Sequence, residues 1–261
     1  MHIDFCTNTW KTYYLTATPA RSNENENDIF KLYFKNVLGI DLFDEEEDPR
    51  TKYIAIRYNS NPSPQEIGEC KNQYGLDRNK YTDYVVRKPN FYKLLRILLD
   101  MISKVNGKVL IYIGTNAAIV TVANWIEKHY PEMYRDVGIF TSMIKEDKNS
   151  QLEKKIIWST TKSAGAALDI KGLKMTIVLA EPFKSEVLAR QTLGRTRANN
   201  TLYIDIVDMG FSYCKSYYNY KKPIFEKYAT ECSVINMSNS DLTNKAEQLS
   251  KPKLVNPIIR L

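Results

Sequence analysis

KIIWSTTKSAGAALDIKGLKMTIVLAEPFKSEVLARQTLGRTRANNTLYID, residues 155–205, alternates short apolar runs with polar loops, and this rhythm predicts the architecture of the chain. Three of the apolar runs have the composition of buried strands: Ile156–Ser159, Thr176–Leu179 and Leu202–Val207. A loop of hydroxyl and small residues follows the first run, and a helical segment separates the second run from the third. Strands that alternate with helices in this way predict an α/β fold built on a parallel sheet. In such sheets ligands bind at the loops that follow the carboxyl ends of the strands.

The same alternation extends to both sides of this segment. Apolar residues at helical spacing predict helices, and runs of β-branched and aromatic residues predict strands. The further predicted strands are Lys11–Leu15, Lys52–Tyr58, Lys108–Ile113, Val137–Phe140 and Cys232–Met237. The predicted helices are Asn27–Leu38, Asn90–Val105, Ala117–His129, the polar segment Glu146–Lys155 and the aromatic-rich segment Gly210–Tyr228.

The composition narrows the class of protein. A length of 261 residues allows one large domain or two small ones, and a formal charge of +7 favours a polyanionic partner such as nucleic acid. No run approaches the roughly 18 apolar residues of a membrane span, and the first residues do not resemble a signal peptide. The four cysteines include no Cys-x-x-Cys pair, so we predict neither a metal site nor a disulfide framework. We also predict a cytoplasmic location.

Three short motifs follow one another along the chain. Residues 14–19 read YLTATP, residues 160–169 read TTKSAGAALD, and residues 191–197 read QTLGRTR. In this order and at this spacing they resemble motifs III, V and VI of superfamily 2 helicases. The run TATPARS at residues 16–22, followed by an acidic stretch and Phe30, is most similar to helicases of tailed phages.

The resemblance implies a RecA-like fold and a part of a motor. Helicases of this superfamily have two RecA-like lobes with ATP between them, and the first lobe carries the phosphate loop and the magnesium carboxylate. This sequence contains neither a G-x-x-x-x-G-K-[ST] loop nor an Asp-Glu-x-His box. We therefore expect the C-terminal portion of an ATP-dependent helicase or translocase. ATP and Mg²⁺ would be bound mainly by the missing first lobe, and this chain alone should not hydrolyse ATP.

The resemblance also implies a division into domains. Residues 1–60 would be the C-terminal remnant of the first RecA-like lobe, and residues 90–237 would be the second lobe with motifs IV, V and VI. Residues 61–89, which contain prolines and a glycine and lack a clear period, would be a linker. Residues 238–261 would form a loose C-terminal tail.

Two arginines are the predicted catalytic residues, because Arg195 and Arg197 resemble the arginines of motif VI. A fixed guanidinium stabilises the negative charge that spreads over the γ-phosphoryl oxygens in the transition state. The family pattern is Gln-x-x-Gly-Arg-x-x-Arg, whereas here the second arginine comes one residue early and Ala198 holds the expected place. Both arginines are candidates for the finger, and Arg197 is favoured because the later arginine reaches the γ-phosphate in relatives.

Three further residues are predicted to bind the cofactor. Asp169 matches the acidic position of motif V, although Ala166 and Ala167 stand where relatives often have Glu and Gly. Its carboxylate would accept a hydrogen bond from a ribose hydroxyl, and the alternative is a helix or turn cap. The resemblance places Gln191 at the ATP cleft, and Gly194 would allow close backbone approach.

Five polar residues resemble the second-lobe loops that touch the nucleic-acid backbone. Thr115 and Asn116 follow one predicted strand, and Thr160, Thr161 and Lys162 follow another. Hydroxyl, amide and backbone N–H groups suit phosphate contacts that carry no sequence information. The alternative is that these are ordinary turn residues.

Nucleic acid, DNA rather than RNA, and ATP are the partners that the resemblance implies. Motif III couples the nucleotide state to strand binding in the family, which assigns a coupling role to Thr16, Ala17 and Thr18. We expect a monomer, located in the host cytoplasm if the protein is phage-encoded. Two alternatives remain open: a stand-alone, non-catalytic nucleic-acid-binding protein on a RecA-like lobe, and a doubly wound domain that binds a small nucleotide. No G-x-G-x-x-G run supports the second alternative.

Overall fold

A computed structural model of the chain describes residues 51–142, 144, 148–164, 170–195 and 200–250. Several predictions from the sequence fall outside these ranges. They are the strand Lys11–Leu15, the helix Asn27–Leu38, the coupling residues Thr16, Ala17 and Thr18, and the site residues Asp169 and Arg197.

The described residues form one large parallel sheet and a small hairpin. The strands are β1 (Thr51–Tyr58), β2 (Lys71–Asn72), β3 (Gly75–Leu76), β4 (Lys108–Ile113), β5 (Val137–Phe140), β6 (Ile156–Ser159), β7 (Leu173–Ala180), β8 (Thr201–Asp208) and β9 (Glu231–Asn236). Seven of them pair in the order β5-β6-β4-β7-β8-β1-β9, and every pairing is parallel. The strands β2 and β3 form a separate antiparallel hairpin.

Helices connect these strands. They are α1 (Pro64–Glu69), α2 (Arg78–Val85), α3 (Pro89–Ser103), α4 (Asn116–His129), α5 (Pro131–Tyr134), α6 (Lys148–Glu153), α7 (Thr161–Ala164), α8 (Glu186–Leu193), α9 (Ser212–Tyr228) and α10 (Asn239–Ser250). Several of the helices begin where the sequence provides a cap. Thr115, for example, accepts a hydrogen bond from the backbone N–H of Ala118 at the start of α4.

Both faces of the central strands of the large sheet are buried, whereas the edge strand β9 is mostly exposed. Alternate residues of β4 lie on opposite faces, so that Val109 and Ile111 pack in one apolar layer and Leu110 and Tyr112 in the other. Residues of α2, α3, α4 and α10 contribute to the first layer, and residues of α8 and α9 contribute to the second. Strands that are apolar on both faces are typical of parallel sheets covered by helices on each side. The predicted α/β fold with a parallel sheet is confirmed.

The strand β1, which ends two residues before the predicted boundary at residue 60, pairs with two later strands of the chain. The strand β1 lies inside the sheet between β8 and β9, with Thr51 opposite Thr201 and Tyr58 opposite Asp208. The hydroxyls of Thr51 and Thr201 are 2.8 Å apart, which fixes the register at the first pair of residues. Residues 51–58 therefore belong to the same sheet as β4 to β9, and the assignment of residues 1–60 to a first lobe stays a prediction.

The predicted linker and tail are also partly structured. Residues 61–89 contain α1, the hairpin and α2, and the side chains of Tyr81 and Val85 from α2 are buried in the core. Residues 239–250 form α10, and its buried residues Leu242 and Ala246 lie on one face of that helix. Pro and Gly in the first segment mark helix starts and a tight turn rather than a linker, because Pro64 and Pro89 each occupy the first position of a helix.

Candidate functional site

A cleft of about 280 Å³ opens at the carboxyl edge of the large sheet. Three loops that follow parallel strands reach it, after β4, β6 and β7, which is where α/β sheets bind ligands. The start of α2 and the β2–β3 hairpin close the other side. The residues that line the cleft are Asn72, Leu76, Asp77, Arg78, Asn79, Gly114, Lys162 and Glu181.

Glu181 joins three of the elements around the cleft. The residue is only 3% exposed, and its carboxylate accepts hydrogen bonds from the guanidinium of Arg78 at 3.0 Å and from the backbone N–H of Thr161 at 3.1 Å. The hydroxyl of Thr161 donates a further hydrogen bond to the same carboxylate. Burial raises the pKa of Glu181 above its ordinary value, and the contacts with Thr161 and Arg78 oppose that shift. The carboxylate thus ties α2 and the loop after β6 to the end of β7.

Gly114 allows α2 to approach the carboxyl ends of β4 and β7. The hydroxyl of Thr82 in α2 donates hydrogen bonds to the carbonyl oxygens of Arg78 and Ala180. A Cβ atom at residue 114 would lie 2.4 Å from that hydroxyl oxygen and 3.2 Å from the carbonyl oxygen of Ala180. A side chain larger than hydrogen would therefore displace α2 from the rim of the cleft.

The predicted strand-binding threonines have hydrogen-bond partners inside the protein. Thr115 donates to the carboxylate of Asp83 at 3.0 Å, and Thr160 donates to the hydroxyl of Ser163 at 3.0 Å. Thr161 is bound to Glu181, as described above. These hydroxyls hold the loops after β4 and β6 in place, and their contact with nucleic acid stays a prediction.

Lys162 and Asn116 differ from those threonines. Lys162 is exposed and lines the cleft, so its ammonium group is the most accessible of the five predicted contacts. The side-chain oxygen of Asn116 is buried and has no hydrogen-bond partner among the described residues. The structure thus places Lys162 at the cleft but turns the amide oxygen of Asn116 away from solvent.

The described residues of motif VI lie on and just after α8. Gln191 is half-buried in the helix, and Gly194 ends it, with its backbone N–H donating to the carbonyl oxygen of Arg190 at 2.8 Å. Arg195 follows and lies beside the hydroxyl of Tyr112, a fully buried residue near the end of β4. Burial raises the pKa of Tyr112, the positive charge of Arg195 lowers it, and the negative charge of Glu181 raises it again. Arg195 and Glu181 therefore lie near the same buried phenol.

A second buried polar cluster lies between the sheet and α9. The ammonium group of Lys221 is 2.7 Å from a carboxylate oxygen of Asp205 in β8, and both side chains are less than 5% exposed. The hydroxyl of Tyr53 donates to the same oxygen at 3.3 Å, and the ring centroid of Phe183 lies 4.2 Å from the ammonium nitrogen. The adjoining cavity of about 10 Å³ has room for no more than one water molecule.

Sequence reasoning misses two residues of the cleft. In the sequence Glu181 marks only the end of a strand, although a Glu-Pro pair directly after a buried strand stands at the edge where parallel sheets bind ligands. Arg78 falls in the predicted linker, where nothing in the sequence marks it. Within the described ranges no group of three or more His, Cys, Asp or Glu residues is arranged to hold a metal ion. None of the helices described here is both long and apolar enough to cross a membrane.

Replacement of Glu181 by Gln should change how the stability of the protein depends on pH. Because burial raises the folded-state pKa, the folded protein holds this proton to a higher pH than the unfolded chain does. The unfolding free energy of the wild type should therefore fall relative to the Gln variant as pH rises from about 4.3 through the folded pKa. Urea unfolding of both proteins between about pH 4 and pH 8 measures this difference.

Other buried carboxyl groups do not obscure that comparison. Burial also raises the pKa of Asp208, but Asp208 is present in both proteins and its effect cancels in the difference. A difference in unfolding free energy that stays constant over the whole pH range would show that Glu181 titrates alike in the folded and unfolded chain.

Comparison with solved structures finds several chains with a similar path of the backbone. T4 UvsW matches with a TM-score of 0.52 and 10% sequence identity, over 72% of this chain and 41% of that chain. The C-terminal domain of the DEAD-box protein Dbp5 gives a TM-score of 0.47 and 13% identity, over 78% of this chain and 99% of that chain. S. cerevisiae Dbp5 bound to RNA and ADP BeF3 gives a TM-score of 0.48 and 14% identity, over 85% of this chain and 51% of that chain.

These matches concern the path of the backbone. The chain spans less than half of the length of the UvsW chain that it resembles. No protein-family model and no curated protein sequence matches this chain. Given its all-parallel sheet, its helices on both faces and its similarity to T4 UvsW, the described part of the chain has a RecA-like α/β fold.

Proposed function

We propose that this chain supplies the second RecA-like lobe of an ATP-dependent nucleic-acid helicase or translocase. The observation that carries the proposal is the cleft at the carboxyl edge, where Lys162 from the motif V segment meets Gly114 and Arg78. Parallel α/β sheets bind ligands at the loops of this edge. Lys162 lies at this edge and belongs to residues 160–169, the segment that resembles motif V. Single-stranded DNA, rather than RNA, is the expected partner.

The roles follow from the positions of the side chains. Lys162 contacts a phosphate of the strand, while Thr115, Thr160 and Thr161 hold the loops that carry the backbone N–H groups. Arg195 and Arg197 supply positive charge to ATP held across a lobe interface, as the resemblance implies. Gln191, Gly194 and Asp169 complete the nucleotide side, and ATP with Mg²⁺ is held mainly by a first lobe with a phosphate loop.

A stand-alone nucleic-acid-binding protein is the second candidate function. The same cleft and the positive charge of the chain support strand binding without a motor, because neither feature requires ATP. The two functions differ in their dependence on ATP. Only the helicase function requires that replacement of Arg195 or Arg197 lowers ATP turnover when a domain with a phosphate loop is present.

Replacement of Lys162 by Ala tests the shared part of both functions. The wild-type chain should bind single strands weakly and without base preference, and its affinity should fall as salt rises, because backbone contacts release counterions. Loss of one phosphate contact should reduce the slope of log K against log salt by about 0.7. Fluorescence anisotropy with a labelled 12-mer oligodeoxythymidylate at several salt concentrations measures the slope.

The matched control is Lys128→Ala. Lys128 is also exposed, but it lies in the last turn of α4, which begins at the carboxyl edge and runs away from it. Its replacement should leave the slope near the wild-type value. An affinity that does not respond to salt, or equal slopes for all three proteins, would contradict strand binding at the cleft.

A further inference from the structure

The hairpin of β2 and β3 stands on the rim of the cleft and has a defined shape. Pairing of Lys71 with Leu76 and of Asn72 with Gly75 leaves a two-residue turn that ends with Tyr74. The backbone N–H of Tyr74 donates to the side-chain oxygen of Asn72 at 2.9 Å, and Gly75 adopts a φ of +119°. A side-chain bond and a glycine in the left-handed region fix this turn in one conformation.

The base of the hairpin is anchored in the body of the protein. Cys70 and Leu76 are both less than 10% exposed, and the backbone N–H of Asp77 donates to the carbonyl oxygen of Cys70 at 2.9 Å. The ring of Tyr213 in α9 packs against Gly75, where an added Cβ atom would lie 3.0 Å from a ring carbon. The turn of the hairpin thus packs against α9 through the ring of Tyr213.

Tyr74 presents its ring to solvent at the tip of this hairpin. The residue is 88% exposed, whereas Asn72 and Leu76 on either side of it line the cleft. A single exposed aromatic residue is ordinary on a protein surface. This one differs because the backbone beneath it is fixed and because it stands at the mouth of a cleft proposed to bind a strand.

The charges around the hairpin favour a polyanion. The carboxylate of Asp77 accepts hydrogen bonds from the backbone N–H groups of Asn79 and Lys80, and that of Glu181 is buried against Arg78. Lys71 in the hairpin and Lys162 at the cleft are both exposed. These acidic groups of the rim are thus bonded within the protein, while Lys162 lines the cleft and the ammonium nitrogen of Lys71 lies 5.7 Å from the ring centroid of Tyr213.

We propose that Tyr74 stacks on a base of a single strand whose phosphates lie along the cleft beside Lys71 and Lys162. The cleft of about 280 Å³ lies at the lower end of the roughly 300–1,000 Å³ of ligand pockets, and a sugar-phosphate unit with its base outside fits this volume. Stacking on an aromatic ring tolerates any base, because every base has a π-face. This inference rests on the proposed binding of nucleic acid and adds to it the residue that receives the base.

The test uses the full chain with Tyr74→Ala and Tyr74→Phe. The probes are labelled 12-mers of oligodeoxythymidylate and oligouridylate and an abasic 12-mer with the same phosphates. Tyr74→Ala should weaken binding of both base-bearing strands by about 5- to 150-fold, and Tyr74→Phe should bind within about 2-fold of the wild type. The abasic strand should bind wild type and Tyr74→Ala alike, and the tighter of the two base-bearing strands identifies DNA or RNA as the ligand.

Controls separate this inference from the proposed function. Tyr220→Ala removes another exposed tyrosine that does not line the cleft, and it should bind like the wild type. Wild-type binding that Tyr74→Ala leaves unchanged, or an equal loss for the abasic strand, would overturn the stacking role and leave strand binding intact. A wild-type chain that binds none of the three probes would overturn both.

Discussion

Replacement of Arg197 by Ala should lower ATP turnover by about 10³-fold or more in an enzyme that joins this chain to a RecA-like domain with a phosphate loop. A guanidinium that meets the γ-phosphate stabilises charge that develops mainly in the transition state, so kcat should fall while the strand stays bound. Steady-state ATP hydrolysis with saturating single strand measures kcat, and anisotropy measures strand binding. The 261-residue chain alone should show no turnover, because its sequence contains no phosphate loop.

Arg195 provides the comparison that assigns the finger. Its side chain is half-buried beside Tyr112, so Arg195→Ala should also reduce the unfolding free energy by about 1 kcal/mol. Tyr112→Phe removes the hydroxyl but keeps the guanidinium, and it should retain most of the turnover if Arg195 acts on ATP. Arg190→Ala on the exposed side of α8 should be close to wild type. Full turnover in both Arg195→Ala and Arg197→Ala would rule out a finger in this motif and favour the stand-alone binding protein.

Replacement of Lys221 by Met should reduce the unfolding free energy by about 3–5 kcal/mol, the largest stability effect that we expect in this protein. Lys221 and Asp205 are both almost completely buried, so the change leaves a carboxylate without its counter-ion away from water. The hydroxyl of Tyr53 still donates to that carboxylate but carries no charge. Urea unfolding at neutral pH measures the loss, which should appear as a lower midpoint at an unchanged slope.

Two controls identify the isolated charge as the cause. The double variant Lys221→Met with Asp205→Asn removes both charges and should recover much of the stability, since neutral replacements of buried ion pairs are often tolerated. Lys222→Met changes the next residue, whose pair with Glu226 is about half-exposed, and should cost less than about 0.5 kcal/mol. A double variant that is no more stable than Lys221→Met would show that packing, and not charge, makes Lys221 important.

The sheet could be predicted from the sequence to the extent that its strands are apolar on both faces. Ile156–Ser159 and Lys108–Ile113 have the predicted bounds, because a short apolar run between polar loops is typical of a buried strand. The position of Lys52–Tyr58 within the sheet could not be predicted in this way. An apolar pattern shows that a strand is buried, but it does not show which strands lie beside it.

The site was predictable where a residue belongs to a recognised motif and lies on a loop after a strand. Lys162 met both conditions, and the structure places it at the cleft. Glu181 and Tyr74 belong to no such motif, and their importance depends on contacts with segments far away in the sequence or on the shape of a short hairpin. Arg78, for example, reaches Glu181 across 103 residues of chain, and no local pattern contains that information.

The position of β1 has a consequence for synthesis on the ribosome. Thr51 leaves the ribosome 150 residues before its partner Thr201, which at about 5–20 residues per second is a delay of roughly 8–30 s. During that time β1 is an apolar strand with neither neighbour, since β8 and β9 both come later in the chain. The emerging chain thus exposes the edges of an apolar strand until β8 and then β9 have been synthesised, and a chaperone that covers β1 would have its greatest effect in this interval.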